Sequence, residues 1–388
     1  MSLALALLVA LSLSFALLCW ISQIRALARP PRRPPIDAPP ISILKPLKGA
    51  DPGLEANLRS FFAQDYPRFE LLFGVEDGLD PAVGIVERLI AEHPDVTARL
   101  VVSRRRVGLN PKVNNLANMD RVAWHEMLLI SDSNVIVEPG YVSDMVARAC
   151  EPGVGLVTSL IRARSASGLG AALESLQLHT FVMGGVAAWC GLIGEPCVVG
   201  KSMMLRRSDL ARIGGFEFLG GYLAEDQVCG EEIDALGLRV VVSGRPVDNV
   251  LGEVSLSGFA ARHLRWARIR RRLGVAPYIG EALLNPVALA IVAAAAGAGL
   301  TVPALALTAM SLMAWSAERR LGVERNALLV APLELARSLS VAVLWPVAFV
   351  SGSVNWRGNV LRIGDRTRLL PREAPSLQAE TSHALEAH

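Results

Sequence analysis

The first charged residue of the chain is Arg25, and the charge-free apolar run before it, residues 2 to 21 (SLALALLVALSLSFALLCWI), constrains the fold more than any other feature. A bilayer's hydrocarbon core takes about 20 apolar residues to cross as a helix. This run has that length, so residues 1–24 are expected to form a transmembrane anchor. A cleaved signal peptide carries its basic residues ahead of the apolar stretch, whereas Arg25, Arg29, Arg32 and Arg33 come after it. By the positive-inside rule, those arginines hold the following chain on the cytoplasmic side. The Pro-rich end of residues 25–40 reads as a stiff, extended linker.

Composition points the same way. Hydrophobic residues make up 52% and charged residues 19% of the 388, with a mean hydropathy of +0.39, a balance that a soluble domain rarely shows. The net charge is only +3, and the basic residues cluster beside apolar segments, which suits a membrane surface and not nucleic acid. Five cysteines (Cys19, Cys150, Cys190, Cys197 and Cys229) include no C-x-x-C pair, so neither a disulfide framework nor a zinc site is indicated.

Between residues 41 and 257 the pattern changes to short apolar runs, ISIL, FELLFGV, ARLVVS, EMLLIS and GLVTSL, alternating with amphipathic segments such as LEANLRSFFAQ, AVGIVERLIAEHP and YVSDMVARAC. Buried strands alternating with helices predict an α/β fold with a doubly wound, mostly parallel sheet. In such folds chemistry sits at the carboxyl ends of the strands.

Residues 258–280 are strongly basic, with Arg262, Arg265, Arg268, Arg270, Arg271 and Arg272 interleaved with Leu264, Trp266 and Ile269, a pattern that can rest in a membrane interface. Residues 281–356 should hold C-terminal membrane-embedded helices. The stretch 283–317 is too long for one ordinary helix, and Gly297, Gly299 and Pro303 offer a turn, so two short spans are expected there. In 326–354, Glu334 and Arg337 stand three apart, where they can neutralise each other or line a polar cavity; a re-entrant or interfacial hairpin is expected over a single crossing. Residues 357–388 read as a basic cytoplasmic tail.

Carboxylates at strand ends can hold a metal or take a proton. Asp77 follows FELLFGVE, Asp132 follows EMLLIS, and Glu225-Asp226 falls in GGYLAEDQV. Taken singly, each is equally a turn or a helix cap, where Asp is favoured. Gly200-Lys201-Ser202 resembles the end of a phosphate-binding loop, but the position five before Gly200 is Glu195, so the P-loop pattern is not met. His179 and His263 stand alone, and a lone histidine is more often a satisfied structural residue than a catalyst.

The combination is more specific than its parts. V-E-D-G-L-D-P (75–81), V-G-L-N-P-K-V-N-N-L (107–116), S-D-S-N (131–134), A-E-D (224–226) and R-H-L-R-W (262–266) resemble the ceramide glucosyltransferase family, within the GT-A group of glycosyltransferases. The resemblance covers roughly residues 40 to 275. It implies a GT-A fold in which Asp77 contacts the uridine of a UDP-sugar donor, Lys112 lies near the donor, and Asp132 holds a metal-diphosphate. It further implies that Asp226 is the base and that Arg262, Arg265 and Trp266 help bind diphosphate and acceptor. Cys197 falls in a C-V-x-G-x-S patch that lies beside the donor in that family, and a small core cysteine is an equal reading. Where a D-x-D would offer two carboxylates to Mg²⁺ or Mn²⁺, this chain has Asp132-Ser133-Asn134.

The expected reaction is therefore inverting transfer of a sugar from a UDP-sugar to a membrane lipid hydroxyl, as from UDP-glucose to ceramide. A hopanoid taking N-acetylglucosamine is the alternative, since bacterial relatives of the family use it and this Ala-, Gly- and Arg-rich chain looks bacterial. A processive polysaccharide synthase would need more spans than the C-terminal third supplies. A non-catalytic scaffold would have no use for carboxylates at each expected strand end, and a transporter subunit would need more spans.

Overall fold

The computed structural model describes residues 2–350, 353–356 and 359–371. Eight strands form one sheet in the order β3-β2-β1-β4-β7-β6-β8-β5. They are β1 (Ile41–Pro46), β2 (Phe69–Val75), β3 (Ala98–Val102), β4 (Met127–Ser131), β5 (Val135–Ile136), β6 (Val154–Ser167), β7 (Ser202–Arg206) and β8 (Arg239–Glu253). The first four are parallel, as the strand and helix alternation predicts. β7 then runs antiparallel to both β4 and β6, so the sheet is mixed beyond β4. Sequence had shown β6 only as the run GLVTSL; paired in parallel with β8, it extends through 14 residues.

Alternation along the central strands divides the core in two. Ile41, Ile43, Leu71, Phe73 and Leu129 face the helices Leu54–Phe62, Ala82–Glu92 and Tyr141–Ala149. Their neighbours Leu44, Leu72, Leu128 and Ile130 face Pro111–Asp120 and Glu225–Ala235 on the other side. Both faces are covered, which is why these strands read as continuous apolar runs. The register aligns the carboxyl ends of β1, β2 and β4 along one edge, with Ile41 opposite both Phe69 and Met127. Because β7 is antiparallel, with Ser202 opposite Ser131, the residue before it reaches that same edge.

The N-terminal apolar run forms the helix Ser2–Leu27, whose Leu3, Leu7, Leu11 and Leu18 are exposed and available to lipid. Its inner face packs on Pro286–Ala298 and Thr301–Arg320 through Val9, Ala290, Ala293 and Ala306. Among the described residues three helices are long and apolar enough to cross a membrane: Leu3–Leu27, Gly168–Ile193 and Ala327–Val347. Val275–Leu284 and Pro286–Ala298, bent by 69°, make a fourth if taken as one broken span. The expected turn is present, with Gly297 (φ 93°) and Gly299 (φ 84°) in conformations that favour glycine.

Two expectations about these segments change. The hairpin expected within 326–354 is instead one continuous helix, Ala327–Val347. Arg337 bonds Glu334 on the same helix, with Nε to Oε2 at 2.8 Å, and both are buried, so the pair is neutralised without a break in the helix. Helix Gly168–Ile193, apolar enough to span, was not anticipated inside the catalytic segment; half of its apolar window is buried within the protein, against β6 and the N-terminal helix. Of the segment 357–388, residues 359–371 are described, and they pack on the catalytic half; residues 357, 358 and 372–388 lie outside the described residues.

Candidate active site

The aligned strand ends build a charged cluster around one ammonium. Asn110 caps the helix Pro111–Asp120, its Oδ1 accepting from the amides of Lys112 (3.0 Å) and Val113 (3.2 Å). This cap places Lys112 in the first helical turn, facing the sheet edge. Lys112 Nζ lies 2.9 Å from Asp132 Oδ1 and 2.9 Å from Glu225 Oε1, and donates to the Gly200 carbonyl at 3.1 Å. Lys201, just ahead of β7, closes the other side, 3.1 Å from Asp132 Oδ2 and 2.8 Å from Asn134 Oδ1. Asp226 follows Glu225 on helix Glu225–Ala235 and accepts from the Gly200 amide at 2.6 Å. A β-carbon on Gly200 would stand 2.5 Å from Asp226 Oδ2, so only glycine admits this approach.

The cluster separates its carboxylates electrostatically. Burial pushes the Asp226 carboxyl up, the Glu225 charge pushes it further, Lys112 partly opposes both, and the result is about 6. For Asp132 burial acts upward too, but Lys112 and Lys201 outweigh it and hold the group well below the usual carboxylate range. Burial works against the Lys112 charge, yet Asp132, Glu225 and Asp226 more than offset it, and its pKa rises. One carboxylate is thus held ionised as a charge anchor, and the other is poised to exchange a proton near neutral pH.

Of the residues singled out from the sequence, Lys112, Asp132 and Asp226 come together in this cluster. Cys197 lies within electrostatic reach of Asp226, but burial pushes its thiol up to about 12, so it lines the region as a neutral group. Asp77 stands at the end of β2 on the same edge, more exposed, with Arg104 Nη2 at 2.6 Å from its Oδ2. Arg262 and Arg265 are carried on the basic helix Leu256–Leu273, where Arg262 pairs with the buried Glu174 of Gly168–Ile193. Trp266 packs into an apolar cluster that also takes Val199, next to Gly200.

Sequence reasoning missed Lys201 and Lys45. Lys201 was visible in Gly-Lys-Ser but was set aside with the P-loop; only the antiparallel β7 brings it to Asp132. Lys45 lies within β1, fully buried, with Nζ 2.6 Å from the Asp132 carbonyl and 3.8 Å from the centroid of the Phe61 ring. Burial drives its pKa well below that of an ordinary lysine. A lysine inside an apolar strand was the available signal.

Among the described residues no three His, Cys, Asp or Glu side chains gather as a metal cage. The donor set nonetheless fits a hard cation completed by substrate: the Lys201 ammonium is already held between Asp132 Oδ2 and the Asn134 amide oxygen, both oxygen donors. Mg²⁺ is commonly bound by one or two carboxylates together with phosphates.

Residues 4–369 match the family model described as glycosyl transferase family 21. The chain belongs to that family. It is similar to Ceramide glucosyltransferase 3 of Caenorhabditis elegans, 29% identical over 347 residues that cover 86% of this chain and 74% of that one. It is also similar to the ceramide glucosyltransferase of Komagataella phaffii, 30% identical over 302 residues covering 62% of this chain and 59% of the relative. A third, Ceramide glucosyltransferase 1 of C. elegans, is 32% identical, and the chain spans 50% of its length. Among solved structures, a mannosyltransferase from Pyrobaculum calidifontis in complex with GDP-Man and Mn²⁺ superimposes with a TM-score of 0.50 at 21% identity, covering 88% of this chain and 98% of that one. That likeness shows the GT-A-like fold. The family 21 protein is therefore a glycosyltransferase with its charged cluster at the sheet edge where such folds do their chemistry.

Proposed function

We propose that this transferase moves a sugar from a UDP-sugar to the hydroxyl of a membrane lipid, with glucose and ceramide as the pair that its named relatives favour. The observation that carries the reading is Asp226: a partly buried carboxyl at the sheet edge, pushed up to about 6 and adjoining the Lys112–Asp132 pair. In a single displacement, Asp226 takes the acceptor hydroxyl proton, the acceptor oxygen bonds to the anomeric carbon, and the bond to the diphosphate breaks with its electron pair leaving on UDP. Attack from the opposite face inverts the anomeric centre, so an α-linked donor yields a β-glycoside. Lys112 and Lys201 place two ammonium groups beside the leaving diphosphate, where countercharge is worth most. Asp132, with Asn134, would hold a divalent ion, Mg²⁺ or Mn²⁺, which when bound neutralises charge on the diphosphate. Asp77 would contact the uridine; Arg262, Arg265 and Trp266 would help bind the diphosphate and the acceptor.

Exposed leucines on Leu3–Leu27 and Ala327–Val347 favour a multi-pass enzyme. We place it in a bacterial inner membrane, with the anchor in 1–24, the linker in 25–40 and the catalytic domain, 41–257, facing the cytoplasm. The basic segment 258–280 lies at the interface, the segments 281–356 return to the membrane, and 357–388 is cytoplasmic. The deciding experiment offers purified protein several UDP-sugars with a lipid extract and identifies products by mass spectrometry and anomeric configuration by NMR. A β-hexosylceramide supports the reading, a GlcNAc-hopanoid transfers it to the other lipid, and products on water-soluble acceptors alone would overturn it.

A further inference from the structure

The helix that carries Glu225 and Asp226 begins without a capping side chain of its own. Its N-cap residue is Ala224, which has no side-chain oxygen to accept from the first-turn amides. The loop before it is instead held by a segment from the far end of the chain. The Thr367 carbonyl accepts from the Leu223 amide at 3.0 Å, and its hydroxyl accepts from the Ala224 amide at 3.2 Å. Two residues on, the Leu369 amide donates to the Gly221 carbonyl at 2.7 Å. Arg366 then reaches the same helix, 2.9 Å from Glu231 Oε2 and 2.9 Å from Glu232 Oε1. Leu223 is sealed by Ile363, Leu369 and Ile269, the last from the basic helix Leu256–Leu273.

This contact is maintained against a local cost. Thr367 is fully buried with φ at 64°, and Arg366 has φ at 48°. A β-branched residue in the left-handed region is a steric outlier, and such outliers persist only where the surroundings over-determine them. Here the surroundings are the loop bearing the two carboxylates. That loop is pinned from the opposite side as well, since Asn110 Nδ2 donates to the Tyr222 carbonyl at 2.8 Å and to Glu225 Oε2 at 3.2 Å.

We infer that Asp365–Leu370 is a strap that positions the catalytic carboxylates, with Thr367 as its positioning residue. The strap holds, from the end of the chain, the two residues that lead into the helix, Leu223 and Ala224, and so sets where Asp226 stands against Gly200. It also ties that loop to the basic helix, through Ile269 and through Arg272 Nη1, 3.6 Å from Asp365 Oδ1. The inference rests on the reading of Asp226 as the base.

The test uses the full-length enzyme in lipid micelles. Thr367→Val keeps the shape but removes the hydroxyl acceptor, and should lower kcat about tenfold while donor Kd, by calorimetry, changes less than twofold. The acid limb of kcat against pH should move downward as Asp226 loosens toward solvent and an ordinary carboxylate pKa. Thr367→Ser restores the hydroxyl and should recover most of both effects. Arg366→Gln, at an exposed position, should reproduce a smaller fall in kcat. If Thr367→Val and Arg366→Gln both leave kcat and its pH limb at wild-type values while Asp226→Asn abolishes transfer, the strap is only structural and the inference fails. If Asp226→Asn itself retains transfer, the base assignment fails first and the strap's proposed role falls with it.

Discussion

With Asp226 as the proposed base, transfer should rise with pH along a limb centred near pH 6, because a carboxyl accepts a proton only when ionised and this one is pushed up to about 6. The interval from 3.8 to about 6 corresponds to about 3 kcal/mol of disfavoured ionisation, at about 1.4 kcal/mol per pH unit. Burial is the larger cause and the Glu225 charge the second, so removing the Glu225 charge should lower the pKa while burial keeps part of the elevation. Glu225→Gln removes that like charge and keeps one carbonyl oxygen, for either Asn110 or Lys112. Its limb should therefore shift to lower pH, with transfer retained on the plateau. Lys112→Met acts in the opposite sense, since it deletes the cation that holds Asp226 down, and its limb should move above that of the wild type. The assay is kcat/KM across the acid and neutral range, which reports the free enzyme, the state whose contacts are described above. Opposite shifts in the two variants are the signature of a base flanked by one like and one unlike charge. Shifts in the same direction, or none, would refute the electrostatic account. Loss of transfer in Glu225→Gln with its survival in Asp226→Asn would exchange the two residues' roles.

Two further outcomes test the donor site and the membrane arrangement. Asp132→Ala should weaken UDP-sugar binding in titration calorimetry and abolish its response to Mn²⁺, because Asp132 is the cluster's carboxylate held ionised by two lysines; unchanged Mn²⁺-dependent binding would remove it as the anchor. A cysteine placed at Lys48, beyond the arginines that follow the N-terminal helix, should stay unlabelled by an impermeant thiol reagent in intact cells, and ready labelling would reverse the orientation.

The parallel half of the sheet was legible because β1, β2 and β4 are buried on both faces and so appear as unbroken apolar runs. Asp132 and Asp226 were legible because each follows an apolar run inside a specific motif, and Lys112 because it falls in the N-P-K-V-N-N run that carries the family resemblance. What stayed hidden depends on contacts distant in sequence. The antiparallel course of β7 decides that Lys201 meets Asp132, and nothing in Gly-Lys-Ser states that direction. The helix Gly168–Ile193 reads as an apolar stretch with interspersed polar residues; Glu174 and Gln177 make sense only once Arg262 and Arg337 are seen beside them. The strap was read as a tail because its residues are basic, whereas it holds the active-site loop through the Thr367 carbonyl and hydroxyl and the Leu369 amide, contacts that no run of residue types announces.

Keeping Asp226 poised near neutrality has a cost that can be measured in stability. Its folded pKa lies above the unfolded value, so the folded protein binds the proton more tightly, and the stability this gives is present below about pH 4 and lost as pH rises through about 6. At pH 7 and above, the partly buried, ionised carboxylate therefore destabilises the fold by up to about 3 kcal/mol relative to its protonated form. Asp226→Asn replaces it with a neutral side chain that can still accept from the Gly200 amide. The variant should unfold later than the wild type at neutral pH by up to about 3 kcal/mol, and the two should converge as the pH falls toward 4. Asp132 titrates in the opposite sense: its pKa is held down by Lys112 and Lys201, so its contribution is lost only on strong acidification and does not mask the difference. The measurement is thermal unfolding of both proteins in one detergent across that pH range. A variant equally stable at every pH would mean that Asp226 is not strained by its surroundings, and that the site is not held ready for proton transfer before substrates arrive.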